Sequence, residues 1–353
     1  MIERQSTKLR QLLRAKTFLH MPSVYNVIGA RLVQSLGFEA VYIGGYVTGG
    51  STAITEPLLT MNEQIEPARN IAQNVNIPLL ADAGSGWGEP IHTMRTMREF
   101  IRAGVAGVHI EDALYPKRAH YHKYVVHGVP VEEFVEKVEY SCKERDRSDP
   151  DFVVIARTDT CRALGLEEAS MRLNKAADVG ADLGLLFPRT RQEAEDAPRK
   201  CRLPLVYVQS RGNRDGRPII PRKELEQMGY IACIEAQVTL CTEFHFLKQA
   251  LTELRNTGDY TGMTNAEYVA SRQAVEDIIG LDEYYEIEAK TVEARQPIVT
   301  PISSGRRKNI RCCRKRISCR TSIRSPITSA WKASSAASAA CWCNQASTAP
   351  TTR

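Results

Sequence analysis

Carboxylates that end neighbouring apolar runs are the first residues of this chain that could do chemistry. Asp82 falls near the end of PLLADAG, residues 78 to 84, and Glu111-Asp112 end GVHIED, residues 107 to 112. Two or three hard oxygen ligands at one mouth suit Mg²⁺, which keeps several waters and takes its remaining ligands from substrate oxygens. Strand-end acids that cap helices or pair with Arg157 would look the same, and spacing leaves both open. Arg157, in FVVIARTD (152 to 159), has the planar fork that grips a carboxylate at two points, although alone it could equally balance Asp82 and Glu111. The long connection from Ala113 to about Val129 carries Lys117-Arg118-Ala119-His120-Tyr121-His122 and His127. With His109, four of the seven histidines fall within nineteen residues. A loop so long and so rich in acid/base groups is a candidate lid over a substrate. A solvated polar loop is the plainer alternative, and His120-x-His122 on a loop implies no metal site by itself.

These groups must be positioned by the apolar runs around them. Eight short β-rich runs recur: TFLHMPSV (17 to 24), AVYIGG (40 to 45), PLLADAG, GVHIED, FVVIARTD, LGLLFP (183 to 188), LVYVQ (205 to 209) and IACIEA (231 to 236). Segments of helical periodicity separate them. Four runs follow an apolar helix end and a glycine (Gly37, Gly104, Gly180, Gly229), the pattern of a left-handed C-cap before a short helix-to-strand turn. Strands without polar alternation, interleaved with helices, mean a parallel sheet. Eight such units predict a (β/α)8 TIM barrel over residues 1–240. An open doubly wound sheet is the alternative, but Gly84-Ser85-Gly86-Trp87-Gly88 is not its nucleotide fingerprint. In a barrel the active site lies at the strand C-termini and the loops after them. There the chain offers Gly44-Gly45-Tyr46, Asp82, Glu111-Asp112, Arg157 with Asp159, Arg189, Gln209 and Glu235. Residues 241–300 read as further helices with no strand partner, suited to packing on a neighbouring subunit.

The chain has 353 residues, 43% apolar and 25% charged, with 47 Lys+Arg against 41 Asp+Glu for a net charge of +6. The basic excess is confined to the end, where residues 305–353 hold eleven Lys or Arg and no acid, leaving −5 on residues 1–304. That removes the case for a nucleic-acid or anionic-membrane partner, since the tail also lacks interleaved aromatics. With eight Ser, eight Ala and no Leu, Val, Phe, Tyr or Met, the tail cannot bury enough apolar surface to offset its ordering entropy. Residues 301–353 are therefore expected to be disordered, or to be the product of a shifted reading frame. The body cysteines show no paired spacing, and those of the tail no metal-site spacing. No apolar run approaches the ~18 residues of a membrane span, and the opening lacks a secretory core, so a cytoplasmic protein is expected. The basic, Leu-containing opening reads as a helix capping one barrel end, or otherwise as an amphipathic targeting helix.

Four stretches, AVYIGGYVTGGS, PLLADAGSGWG, AGVAGVHIEDALYPKR and DPDFVVIARTDT, resemble the isocitrate lyase/phosphoenolpyruvate mutase superfamily in order and spacing, over roughly residues 8 to 290. The resemblance implies a Mg²⁺-dependent barrel enzyme acting on a 2-oxo or 2-hydroxy carboxylic acid, assembled as a homotetramer with exchanged C-terminal helices. By position it makes Asp82 a direct Mg²⁺ ligand and Glu111 the holder of a metal-bound water. Gly44, Gly45 and Tyr46 would meet the substrate carboxylate or enolate oxygen, and Arg157 would bind the substrate carboxylate. Lys117 and Arg118 would open a gating loop.

The departures from that pattern bear on the reaction. Ala119 stands where lyases acting on isocitrate or methylisocitrate carry an acidic cysteine, so the proton for the departing enolate must come from His120, Tyr121, His122 or water. The loop also lacks the asparagine of phosphorus-transferring members. Gly84 replaces a second aspartate near the metal, Glu56 takes the place of another, and Arg189 replaces a common glutamate, adding charge that suits a second substrate carboxylate. The leading expectation is a Mg²⁺-dependent lyase or decarboxylase on a small di- or tricarboxylate. A carboxyphosphonate or phosphonopyruvate-type mutase or hydrolase is the enzymatic alternative, and a non-catalytic carboxylate-binding barrel the alternative of another class.

Overall fold

The computed structural model describes residues 3–16, 18–119 and 123–295. The expectations for the tail 301–353, for His120, Tyr121 and His122, and for the last residues of the helical segment lie outside them. In chain order the elements are α1 (Gln5–Arg14), β1 (Leu19–Pro22), α2 (Val27–Ser35), β2 (Val41–Ile43), α3 (Gly45–Ser51), α4 (Met61–Ala72), β3 (Leu79–Asp82), α5 (Pro90–Arg102), β4 (Gly107–Glu111), α6 (Val131–Ser148), β5 (Val153–Thr158) and α7 (Cys161–Asp178). There follow β6 (Leu183–Leu186), α8 (Arg191–Lys200), β7 (Leu205–Gln209), α9 (Arg222–Met228), β8 (Ala232–Glu235), α10 (Val238–Thr257), α11 (Asn265–Ile279), α12 (Leu281–Lys290) and α13 (Val292–Arg295). All eight apolar runs form strands.

The strands pair in parallel in the order β1-β8-β7-β6-β5-β4-β3-β2. A Ser23–Tyr42 bridge, with the Val24 N–H donating to the Tyr42 carbonyl at 2.8 Å, joins β1 to β2 and closes the ring. Gly37, Gly104, Gly180 and Gly229 end four of the helices at φ of 82°, 85°, 100° and 101°, the left-handed region that glycine enters without a Cβ clash.

Alternation along each strand divides the core in two. One set, including Met21, Tyr42, Leu80, Ile155, Leu185 and Ile234, fills the barrel interior. The other meets the helices, where Phe100, Phe134 and Phe152 are wholly buried, each worth about 1.5–3 kcal/mol of transfer free energy. Leu9 of α1 joins the interior set. Arg10 of the same helix bonds Asp182 at 2.7 Å and the Phe152 carbonyl at 2.8 Å, and the Ser6 hydroxyl donates to Asp149 at 2.7 Å. These partners stand before β5 and β6, so α1 caps the N-terminal end of the barrel, opposite the strand ends that carry the polar inventory.

The eighth barrel helix behaves differently. α10 follows β8 yet buries none of its residues, and Phe244, Phe246, Leu247, Leu251 and Leu254 stay exposed. α11 and α12 likewise bury nothing.

Candidate active site

Interior side chains at the C-terminal strand ends, with the loops beyond them, line a cleft of about 980 Å³ counted to its open mouth. Its floor is Tyr42, His109, Leu185 and Val208, and its rim carries Gly44, Gly45, Tyr46, Arg189 and Arg217. Tyr124 and Val126 of the long connection after β4 lie over it. That connection is closed at its base by an Ala113–Gly128 bridge, with the Leu114 N–H donating to the His127 carbonyl and the Val129 N–H to the Asp112 carbonyl, both at 2.8 Å. A stem held this way leaves the intervening residues to reach over the cleft.

At the inner end, four carboxylates face two cations. Lys117 pairs with Glu56 and, at 2.8 Å, with Glu111. Arg157 lies 3.2 Å from Glu111 and 3.6 Å from Asp82, and its Nε and Nη2 each donate at 2.9 Å to the two oxygens of Asp159. The Nε/Nη2 edge of the guanidinium is thus occupied by Asp159, and Nη1 is the nitrogen turned to Glu111 and Asp82. Burial opposes the Asp82 carboxylate, but His109, Arg157 and Lys117 and the Gly84 N–H at 2.8 Å outweigh it and hold Asp82 well below the usual carboxylate range. Glu111 is wholly buried, and burial dominates there, raising it to about 7 against the pull of Lys117 and Arg157. Each Glu111 oxygen faces a cation, Oε1 the Lys117 ammonium at 2.8 Å and Oε2 the Arg157 guanidinium at 3.2 Å, with no well-aligned hydrogen bond to either. Burial also works against the charged form of Lys117, but Glu111 and Glu56 more than offset it, so the ammonium stays charged.

Two glycines shape this end. A Cβ on Gly45 would sit 2.5 Å from the Glu56 Cγ, so only glycine lets Glu56 lie against the backbone there. The Gly45 N–H points at Asp82, 3.2 Å away. Gly84, at φ +50°, has nothing within 4 Å of where a Cβ would be, so the carboxylate missing from this position leaves open space. On the floor, the Tyr42 hydroxyl meets His109 Nε2 at 2.7 Å, with the two rings stacked. Burial lowers His109 to about 4 against the opposing charge of Asp82, which makes it a neutral ring at physiological pH.

The structure separates the two acids that end β4. Glu111 points to the barrel interior beside Lys117 and Arg157, whereas Asp112 turns outward and accepts from the Thr158 hydroxyl at 2.5 Å and the Asp159 N–H at 2.9 Å, with Arg172 at 3.3 Å. Asp112 is therefore a structural anchor that ties the root of the long connection after β4 to β5. Asp112→Ala leaves Arg172 with Glu168 at 2.9 Å but takes the acceptor from the buried Asp159 N–H, and should cost about 1–3 kcal/mol, read as a fall in the urea midpoint at unchanged m-value.

Of the residues singled out in the sequence, Gly44, Gly45, Tyr46, Glu56, Asp82, Arg157 and Arg189 line the main cleft. Lys117 lines the adjoining recess beside Gly84. Arg118 is exposed and lines neither. Gln209 and Glu235 fall on the outside of the wall. The Gln209 side chain clamps Ile220 from both sides, accepting from its N–H at 3.1 Å, and Glu235 bonds His20 at 3.2 Å and Arg211 at 3.0 Å. Phe187, Asp215 and Arg217 were not anticipated. Strand parity could have found Phe187, two residues after the interior Leu185; the other two sit in an irregular loop with no periodic signal.

The description "phosphoenolpyruvate phosphomutase" belongs to a family model that matches residues 9–255. The chain is 30% identical over 287 residues to the 2,3-dimethylmalate lyase of Eubacterium barkeri, covering 80% of this chain and 96% of that one. It is 31% identical over 279 residues to the probable 2-methylisocitrate lyase 2 of Corynebacterium glutamicum, covering 78% and 88%. The solved structure of oxaloacetate acetylhydrolase with 3,3-difluorooxalacetate superposes at a TM-score of 0.74 with 29% identity, covering 82% of this chain and 99% of that one. These homologues act on small carboxylates. A closed barrel with its acids gathered at the C-terminal mouth, matched along nearly the full length of such relatives, makes the chain a member of the isocitrate lyase/phosphoenolpyruvate mutase superfamily and a carbon–carbon lyase of that kind.

Proposed function

We propose that the chain is a Mg²⁺-dependent lyase that breaks a C–C bond in a small 2-hydroxy or 2-oxo di- or tricarboxylate, by retro-aldol, retro-Claisen or decarboxylative cleavage. The observation that carries this reading is the inner end of the cleft, where among the described residues Glu56, Asp82, Glu111 and Asp159 gather around Lys117 and Arg157. Carboxylates gathered in a buried site are costly unless cations and hydrogen bonds balance them. The buried Glu111 oxygens, held by ion pairs to Lys117 and Arg157 but by no well-aligned hydrogen bond, suit a water carried by a hard divalent ion. Asp82 would hold the ion directly, Glu111 through a water molecule, and Glu56 would add its charge where Gly84 supplies none. When bound, Mg²⁺ would stabilise the negative charge that develops on the enolate oxygen as the C–C bond breaks.

The remaining steps fall to the side chains and backbone. Arg157 would hold the substrate carboxylate, and the N–H groups of Gly45 and Tyr46 would face the carboxylate or enolate oxygen from the opposite wall. Arg189 would meet a second carboxylate. Lys117, kept charged by its two acids, would act as a fixed positive group and not as a base. Because Ala119 carries no acid, His120, Tyr121, His122 or water would supply the proton to the departing enolate, with Lys117 and Arg118 governing the loop. Among the described residues no helix is long and apolar enough to cross a membrane. We place the enzyme in the cytoplasm as a homotetramer, with a second copy covering the apolar face of α10–α12.

A panel of 2-oxo and 2-hydroxy di- and tricarboxylates plus phosphonopyruvate, assayed with and without Mg²⁺, tests the reading. Release of pyruvate, glyoxylate or CO₂ only with Mg²⁺ is the expected result. Phosphonate turnover alone, followed by phosphorus NMR, would move the enzyme to the mutases and hydrolases. Carboxylate binding without turnover and without Mg²⁺ dependence would reduce the chain to a binding barrel.

A further inference from the structure

The outer half of the cleft has the opposite charge balance to the inner half. Arg162, Arg189 and Arg217 line it, and Asp215 is the carboxylate among them. Asp215 accepts from Arg189 Nη1 at 2.8 Å and from Arg217 Nε at 3.2 Å, so one acid is shared between two guanidinium groups. The Asp215 carbonyl takes a second bond from Arg189. The group is largely enclosed, with side-chain exposures of 21% for Arg189, 13% for Arg217 and 8% for Asp215. Charges half-removed from water interact strongly with whatever enters, because screening is weak there.

Phe187 connects this group to the inner end. Its ring has Arg157 5.0 Å from the centroid and Arg217 at 4.8 Å, so no more than about 10 Å separates the two guanidinium groups. A short diacid lying across the Phe187 ring can therefore touch both. The loop that carries Asp215 and Arg217 is held in place by its own contacts. The Tyr207 hydroxyl donates to the Pro218 carbonyl at 2.7 Å, Gln209 clamps Ile220, and Asn213 bonds the backbone of Arg217 at both N–H and carbonyl, each at 3.1 Å. The subsite is pre-organised on the barrel wall and does not wait for the lid.

We infer that Asp215 is an internal stand-in for the distal carboxylate of the substrate, and that Arg189 and Arg217 exchange it for that carboxylate when a short dicarboxylate binds. The inference rests on the carboxylate-lyase reading and narrows it: the substrate carries one carboxylate at the Arg157 end and a second, a few carbons away, at Arg189 and Arg217. A substrate ending in a methyl group leaves the outer arginines on Asp215 and gains nothing there.

Binding of two ligands that differ only in that terminus tests it. Malate and 2-hydroxybutanoate are titrated calorimetrically into the full chain with Mg²⁺ present, for the wild type and for Arg217→Ala, Arg217→Lys and Asp215→Asn, each checked for native circular dichroism. The wild type should prefer malate by at least about 10-fold. Arg217→Ala should weaken malate by about that factor and leave 2-hydroxybutanoate unchanged, with Arg217→Lys recovering part of the loss. Asp215→Asn, nearly isosteric and thus independent of any folding defect in the arginine variants, should tighten malate alone. If the wild type binds both ligands equally, or if Asp215→Asn leaves malate unchanged, the subsite is wrong while the lyase reading stands. If the wild type binds neither, the carboxylate site itself fails and the inference falls with it.

Discussion

Replacing Asp82 by alanine should lower kcat/KM by at least about 10³-fold, close to 4 kcal/mol of transition-state stabilisation, with the native circular dichroism spectrum retained. Asp82 is the acid on which two backbone N–H groups, Arg157 and His109 converge. It accepts from the backbone of Gly45 and Gly84, lies 3.6 Å from Arg157, and stands 3.5 Å from His109. The carboxylate is also the one most firmly held in its charged form, since its cationic surroundings overcome complete burial. Asp82→Asn separates charge from shape. The amide oxygen can still accept from the Gly84 N–H, so a purely structural Asp82 would leave Asp82→Asn active. Loss of both activity and calorimetric Mg²⁺ binding in Asp82→Asn is expected, and chelation of the wild type should reproduce it. An Asp82→Asn enzyme within tenfold of wild type, with the same Mg²⁺ requirement, would remove Asp82 from the metal site.

What could be seen of this in the sequence follows from how each feature is encoded. The eight strands and the four glycine turns are local: an apolar run six residues long and a glycine that must take positive φ write themselves into adjacent letters. The acids at strand ends are nearly as legible, because a barrel places its chemistry there. Their division of labour is not. Glu111 and Asp112 are neighbours in sequence, and only the pleat decides that the first points inward to Lys117 and Arg157 while the second joins Thr158 and Arg172 on the outside. The same limit applies to Arg157, whose fork on Asp159 depends on the rotamers of two strand-end residues. Asp215 and Arg217 were beyond reach for another reason. Their loop has no period, and its placement over Phe187 comes from contacts to Tyr207 and Gln209 on the strand before it.

Lys117 carries the second large expectation. It is the point at which the long connection after β4 reaches the inner end of the cleft, and its side chain is only 9% exposed between Glu56 and Glu111. Substituting methionine keeps the length and removes the charge that faces Glu56 and Glu111. Glu111, already raised to about 7 by burial, would then take up a proton at neutral pH and cease to act as a carboxylate. The loop would also lose its inner anchor. Lys117→Met should therefore reduce kcat by about 10²–10⁴-fold, comparable to loss of a positioned acid/base group, with a smaller change in KM. Lys117→Arg restores the charge but brings a planar fork that needs more room than an ammonium between two carboxylates, and should recover only part of the rate. Limited proteolysis separates the two contributions. Faster cleavage between residues 113 and 129 in Lys117→Met, slowed again in Lys117→Arg, would show that the lysine holds the loop as well as the charge. A Lys117→Met enzyme that keeps kcat within about fivefold of wild type would mean that the ion pairs to Glu56 and Glu111 serve the resting structure alone, and that the loop closes on some other residue.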